Sequence, residues 1–311
     1  MRNAFAREIT ALAAADPRLV LLSGDIGNRL FDEFKARHPD RFFNAGVAEA
    51  NMTGMAAGMA LSGLRPVTYT IATFNTYRCY EQIRLDLCYH RLPVIVVGVG
   101  AGLSYAGLGG THQALEDIAM MRVLPHMTVL CPGDTVELRL LLRQALHLDG
   151  PVYLRLGMKN EPVVHPADPP LVIGRALPLR EGEDVCLLST GTTLPIAVAA
   201  ADRLAAAGVA AGLASLPTVE PLDTGFLAAV ADRVPLLATI EEHSVRGGLG
   251  SAVAEFLAGR PGPRPRVLRL GIESGFQHRV GSQAEARRRA GLTPEAVAER
   301  ILAARAAPAP S

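Results

Sequence analysis

The 311-residue chain has no apolar run approaching the ~20 residues of a membrane-crossing helix. It has no long basic block, and its 31 Lys and Arg nearly balance 30 Asp and Glu, so nucleic acid is a disfavoured partner. Only four cysteines occur, Cys79, Cys88, Cys131 and Cys186, with no C-x-x-C pair and no zinc-like spacing. No metal is therefore expected on this chain's own side chains, and reduced thiols fit a cytoplasmic setting. Met1-Arg2-Asn3-Ala4-Phe5-Ala6-Arg7-Glu8 reads as a charged amphipathic helix and lacks the apolar core of a signal peptide. No repeat of solenoid period is visible.

With 49% hydrophobic and 20% charged residues, the chain can bury ordinary globular cores, and its length suggests about two domains. Apolar runs alternate with amphipathic helical patterns almost throughout. That alternation predicts an α/β fold: two consecutive domains, each a mostly parallel sheet flanked by helices. In the first domain, residues 1–160, strands are expected over 19–22, 66–70, 94–97, 127–131 and 151–155. Its helices are expected over 3–15, 30–38, 75–91, 115–123 and 134–148. The proline-dense Glu161–Pro170 opens a linker over 161–183. The second domain, 184–305, is expected to carry strands at 184–189, 209–214, 235–241 and 266–270. Helices are expected there over 193–207, 223–232, 249–258 and 294–304, followed by a disordered tail, 306–311.

Arg41–Ala60 organises the rest. A short aromatic run ends at Gly46 and a small-residue helix starts at once, with Glu49 in its first turn. This is the carboxyl edge of a strand, where parallel sheets bind ligands. Met52, Met55, Ala56 and Met59 share one apolar face, while Gly54 and Gly58 permit close approach of another backbone. By position alone, Glu49 either complements the positive end of the helix dipole or serves as a functional acid. The glycine-rich loop Gly98–Gln113 fails the dinucleotide fingerprint, which needs glycine where Leu103 or Tyr105 stands. It also lacks the G-K-[ST] ending of a P-loop. His112, near its end, is by position a loop or helix-capping histidine.

The run Ala45-Gly46-Val47-Ala48-Glu49-Ala50-Asn51-Met52 resembles the segment of transketolases and deoxyxylulose-phosphate synthases that carries the cofactor-activating glutamate. Gly109-Gly110-Thr111-His112-Gln113 resembles the Gly-x-Thr-His-Gln close of that family's loop, and Ile240–Ser251 resembles its C-terminal domain. The resemblance spans nearly the whole chain but only the latter half of a full-length transketolase. It implies a pyrimidine-binding domain followed by a transketolase C-terminal domain. The Gly-Asp-Gly motif with paired asparagines, which marks the diphosphate-binding domain, is not found. Gly24-Asp25-Ile26-Gly27-Asn28 lies too early and reads as a strand-end turn.

The implied protein is the smaller subunit of a split enzyme, assembled as α2β2. Thiamine diphosphate lies at its interface with a separate subunit, which holds the diphosphate and Mg2+. Glu49 is implied to hydrogen-bond a ring nitrogen of the aminopyrimidine and promote its imino tautomer, which requires a dry pocket. Phe74, or Tyr77 if the turn is offset, is implied to stack on that ring. Either aromatic could equally be an ordinary core residue. His112 and Gln113 face the substrate, His112 assisting proton transfer. Arg155 is a phosphate ligand by resemblance and a surface ion pair otherwise.

Two positions depart from the family. Leu108 replaces the usual aspartate that reads a substrate hydroxyl, and Gly100 replaces a histidine that helps bind the acceptor phosphate. Losing a buried hydroxyl partner costs roughly 1–3 kcal/mol of discrimination, which points to an atypical substrate. Three functions remain open. The first is two-carbon ketol transfer between sugar-type substrates. The second is decarboxylation of a 2-oxo acid, as in deoxyxylulose-phosphate synthases or pyruvate dehydrogenase beta subunits. The third is a non-catalytic scaffold subunit.

Overall fold

A computed structural model describes residues 1–27 and 29–307. Asn28 and residues 308–311, which include most of the tail expected to be disordered, lie outside the described residues. The first half runs α1 (Arg2–Ala15), β1 (Leu19–Ser23), α2 (Asp32–Arg37), β2 (Phe42–Asn44), α3 (Glu49–Leu61), β3 (Arg65–Ile71) and α4 (Ala72–Thr76). α5 (Tyr80–Gln82) follows, continuing as a π-helical segment over Ile83–Tyr89. Then come β4 (Ile95–Val99), α6 (Asp117–Arg122), β5 (Thr128–Leu130), α7 (Thr135–Ala145) and β6 (Val152–Leu156). The second half runs β7 (Leu177–Arg180), β8 (Val185–Ser189), α8 (Leu194–Ala206), β9 (Ala211–Ser215), β10 (Thr218–Glu220) and α9 (Thr224–Ala231). It ends with β11 (Leu236–Ser244), α10 (Leu249–Gly259), β12 (Arg266–Ile272), α11 (Gln283–Arg289) and α12 (Pro294–Ala306).

Two sheets result. The seven-stranded sheet has the order β10-β5-β6-β4-β3-β1-β2 and the five-stranded sheet β12-β11-β8-β9-β7. Every pairing is parallel except β10 with β5 and β7 with β9, so each sheet carries one antiparallel edge strand. Of the apolar strands expected from the sequence, all but the one at 266–270, which became the edge strand β12, lie inside the sheets, because strands covered on both faces are apolar throughout. β1, β4, β6, β8 and β9 are buried along their whole length.

Several details differ from expectation. β7 lies within 161–183, the stretch read as linker, because its four residues pair as an edge strand too short to show a period. β10 lies between Pro217 and Pro221 and pairs with β5 of the other sheet, so the chain of the second half returns to edge the first. The helix expected over 75–91 is interrupted after Thr76, whose Oγ1 bonds back to the Ala72 carbonyl at 2.6 Å. α11 was not expected; a capping box between Ser282 and Glu285 starts it.

The 161–183 stretch is tied down by one carboxylate. Asp134 caps α7 by accepting from Val136 N and Glu137 N, each at 2.9 Å, and its other oxygen accepts from Val164 N at 2.8 Å and His165 N at 3.0 Å. His165 Nε2 then meets Glu137 Oε1 at 2.9 Å, and this hydrogen bond raises the imidazole pKa above its ordinary value.

A charged seam joins the two halves. Arg155, near the end of β6, donates from Nε to Asp117 Oδ2 at 2.7 Å and from Nη2 to Asp117 Oδ1 at 3.2 Å. Nη2 also donates to the carbonyls of Ala114 at 3.1 Å and Glu242 at 3.0 Å. Tyr153 completes the cluster by donating to Asp117 Oδ2 at 2.6 Å. His243 packs against it, its pKa lowered to about 4 by burial. Arg155 is therefore not a surface ion pair. It is buried, and its Nε and Nη2 are engaged by Asp117, the loop before α6 and β11.

Two outcomes test these ties. Arg155→Ala leaves the Asp117 charge buried without its cation, and denaturant unfolding should show a loss of roughly 3–5 kcal/mol. A change within about 0.5 kcal/mol would mean that the cluster is not holding the fold. Because the His165 pKa is raised on folding, its pairing stabilises fully below its unfolded value and the contribution is lost as pH climbs through the folded value. The Tm gap between wild type and His165→Gln should therefore be wider at about pH 5.5 than at about pH 9.

Candidate active site

Three segments singled out in the sequence leave the carboxyl ends of strands of the seven-stranded sheet, β3 and β4 being neighbours and β2 separated from β3 by β1. They are the Ala45–Glu49 turn after β2, the β3-to-α4 turn, and the glycine-rich loop after β4. Gly46, with φ +73°, turns the chain into α3. α3 buries Met52, Thr53, Ala56, Ala57 and Ala60. Met55 and Met59 lie only on the flank of that face, and added Cβ atoms at Gly54 and Gly58 would meet nothing within 4 Å.

Glu49 is the first residue of α3 and is 4% exposed. The group facing its carboxylate is Arg78, whose Nη1 lies 3.4 Å from both carboxylate oxygens. The same guanidinium sits over the Phe74 ring, 3.9 Å from its centroid. Phe74 also meets His112 edge-on at 5.1 Å. A carboxylate, a cation, an aromatic face and an imidazole are thus contiguous at the sheet edge. The turn and the loop are pinned together by Thr73 Oγ1, which donates to the Thr111 carbonyl at 2.8 Å.

His112 Nδ1 lies 2.9 Å from Thr111 Oγ1. Partial burial, and then the nearby Arg78 charge, hold its pKa below the usual histidine value, so the ring is neutral at neutral pH. Gln113 is 5% exposed, and its Nε2 has no hydrogen-bond partner. An unpaired buried donor costs about 1–3 kcal/mol, which makes this amide a candidate to receive a ligand oxygen. Tyr77 points elsewhere: its hydroxyl donates to Glu116 Oε2 at 2.9 Å and accepts from Glu116 N. The structure brings Glu49, Phe74 and His112 together; Tyr77 and Arg155 are engaged outside that group.

Both departures from the family pattern are visible. Leu108 is 57% exposed at the outer turn of the loop. At Gly100, with φ +72°, an added Cβ would lie 1.9 Å from Tyr105 Cε2, so the tyrosine ring fills the space of any side chain there. Tyr105 in turn lies 6.0 Å from His112, edge-on. The loop is held from the second half of the chain, where Glu242 Oε1 accepts from Leu103 N at 2.7 Å and from Gln283 Nε2 at 2.9 Å. Arg287 pairs with the other oxygen of the same carboxylate.

Sequence reasoning missed Arg78, Asp117 and Glu242. Arg78 stands four residues after Phe74, the spacing at which helical side chains meet, and that was the available signal. Asp117 and Glu242 act across distances that no local pattern reports. No group of three or more His, Cys, Asp or Glu placed to hold a metal ion occurs among the described residues. No described helix is long and apolar enough to cross a membrane. All four cysteines are free and buried.

The residues present suit an aminopyrimidine: a buried carboxylate for its ring nitrogens, an aromatic face for stacking, and an unpaired amide and an imidazole near by. Comparison with known proteins places the chain in a family. Residues 1–162 match the transketolase pyrimidine-binding domain family, and residues 174–297 match the transketolase C-terminal domain family. A 6-deoxy-6-sulfo-D-fructose transketolase subunit from Clostridium sp. (strain MSTE9) is 36% identical, over 96% of this chain and 92% of that protein. A 1-deoxy-D-xylulose-5-phosphate synthase from Thermomicrobium roseum is 39% identical over 97% of this chain, which spans 48% of that longer protein. The solved structure of a split-gene transketolase, an inactive β4 tetramer, superposes with a TM-score of 0.88 at 36% identity, covering 97% of both chains. The chain belongs to the transketolase family of thiamine diphosphate-dependent transferases, as its pyrimidine-binding and C-terminal domains.

Proposed function

We propose that this chain is the pyrimidine-side subunit of a split transketolase that moves a two-carbon ketol unit between sugar-type substrates. A second subunit carries the diphosphate and Mg2+, the pair assembling as α2β2. One observation carries the reading: the nearly inaccessible Glu49 carboxylate stands at the sheet edge beside the Phe74 face. The near-complete match to a protein named as a transketolase subunit supports a separate partner.

When bound, the cofactor supplies a carbon nucleophile that accepts the ketol fragment. Glu49 shares a proton with a ring nitrogen of the aminopyrimidine, and its burial keeps competing water away. Phe74 supports the ring by stacking. His112, neutral at neutral pH, exchanges protons with the substrate oxygen that gains or loses charge. The Gln113 amide donates to a substrate oxygen. Leu108 and the Tyr105 ring present apolar surface at the two positions where transketolases carry an aspartate and a histidine. Their chemistry favours a substrate that lacks a hydroxyl, or is otherwise substituted, beside the carbonyl.

The 39% identity to a deoxyxylulose-phosphate synthase supports a second reading, decarboxylation of a 2-oxo acid before carbon–carbon bond formation. Reconstitution with a diphosphate-domain subunit, thiamine diphosphate and Mg2+ separates the two. Ketol transfer without CO2 release from pyruvate is expected, and CO2 release would establish the second reading. In the same assay Glu49→Gln should lower turnover at least ~100-fold while leaving the fold intact by circular dichroism. Unchanged turnover would remove Glu49 from the chemistry, and failure of the complex to bind cofactor would favour a scaffold subunit.

A further inference from the structure

Arg78 makes two contacts whose geometry coincides with what the reading above asks of a cofactor ring. Its guanidinium is flat and delocalised. It lies on the Phe74 ring, 3.9 Å from the centroid, and turns an N–H edge toward both oxygens of Glu49 at 3.4 Å. An aminopyrimidine is also flat, also suited to an aromatic face, and also offers a nitrogen-bearing edge to a carboxylate. A guanidinium and a pyrimidine cannot lie on one face of Phe74 together, and the same carboxylate cannot meet both edge-on.

The two contacts hold Arg78 loosely. A well-made charge-assisted hydrogen bond is about 2.7–2.9 Å long, so the separation from Glu49 is too long for a tight pair. The side chain is 49% exposed, so solvent is open to it if it moves outward. No hydrogen bond other than those to Glu49 holds its guanidinium among the described residues. The surfaces it covers belong to other contacts as well: Glu49 opens α3, and Phe74 meets His112 edge-on.

We propose that Arg78 is a placeholder in the cofactor site: its guanidinium covers the Phe74 face and faces the Glu49 carboxylate, and it yields both to the incoming aminopyrimidine ring. This rests on the reading of Glu49 and Phe74 given above. Swinging away also frees the carboxylate edge that the ring is to meet. Until then the cation compensates the buried charge.

The test uses the full chain and the free ring, 4-amino-5-hydroxymethyl-2-methylpyrimidine, with affinity read by proton NMR. Arg78→Gln, checked for fold by circular dichroism and thermal melting, should bind the ring at least about threefold more tightly than wild type, with Arg78→Lys between them. Equal, weaker or absent binding by Arg78→Gln overturns the proposal. Glu49→Gln or Phe74→Ala, added to Arg78→Gln, should remove the gain. If both double variants keep it, the assignment of the aminopyrimidine to Glu49 and Phe74 fails, and the placeholder with it. If Glu49→Gln and Phe74→Ala weaken binding in the wild-type background while Arg78→Gln gives no gain, only the placeholder fails.

A second readout needs no ligand. Arg78 is one of two causes that lower the His112 pKa, the other being burial, and His112 is otherwise faced by Thr111, Phe74 and the Tyr105 ring. In Arg78→Gln the His112 ring should titrate at higher pH by NMR. An unchanged His112 titration would mean that Arg78 does not occupy the site in solution, and would overturn the proposal as well.

Discussion

A carboxylate with no exposed surface cannot remain charged unless a cation is held against it, and Asp117 meets that condition through Arg155. Much of the site's geometry follows from this pair. Asp117 begins α6, shortly after the loop that carries His112, and Arg155 is the penultimate residue of β6. Joining them fixes the loop relative to the sheet. The donation from Arg155 to the Glu242 carbonyl extends the restraint to β11. The imidazole is therefore placed by groups that never approach a substrate.

Two kinds of electrostatic environment lie side by side in this region. In the seam, Arg155 and Asp117 meet at 2.7 Å, with Tyr153 and two backbone carbonyls completing the cluster, which suits permanent structure. At the sheet edge, Arg78 meets Glu49 at 3.4 Å with half its side chain in water. The first arrangement is rigid because breaking it would strand a charge. The second is loose, because its separation is long and solvent reaches half of the arginine side chain.

The layered architecture was readable because long apolar runs and amphipathic helices have different periods, and both sheets follow from their alternation. What was unreadable is informative. β7 and β10 are three or four residues long, below the length at which a period exists. Glu49, Phe74 and His112 stood out because they lie in short local segments beside glycine turns. The burial of Arg155 was not readable because strand-end position says nothing of what packs above it; only the tertiary fold shows that Asp117, 38 residues away, takes its guanidinium. Tyr77 and Phe74 could not be ranked from sequence, since three residues of helix turn one toward Glu116 and leave the other beside Arg78.

β10 has a further implication for the chain's modularity. Although it follows β9 in sequence, it borders the other sheet, shielding the open edge of β5 with Thr218 and Glu220. A fragment cut within 161–183 would carry β5 with one row of amides and carbonyls bare. Such an edge recruits strands from other molecules. The two family domains are thus consecutive in sequence yet interlaced in space, and neither half is a unit that recombination could lift out cleanly.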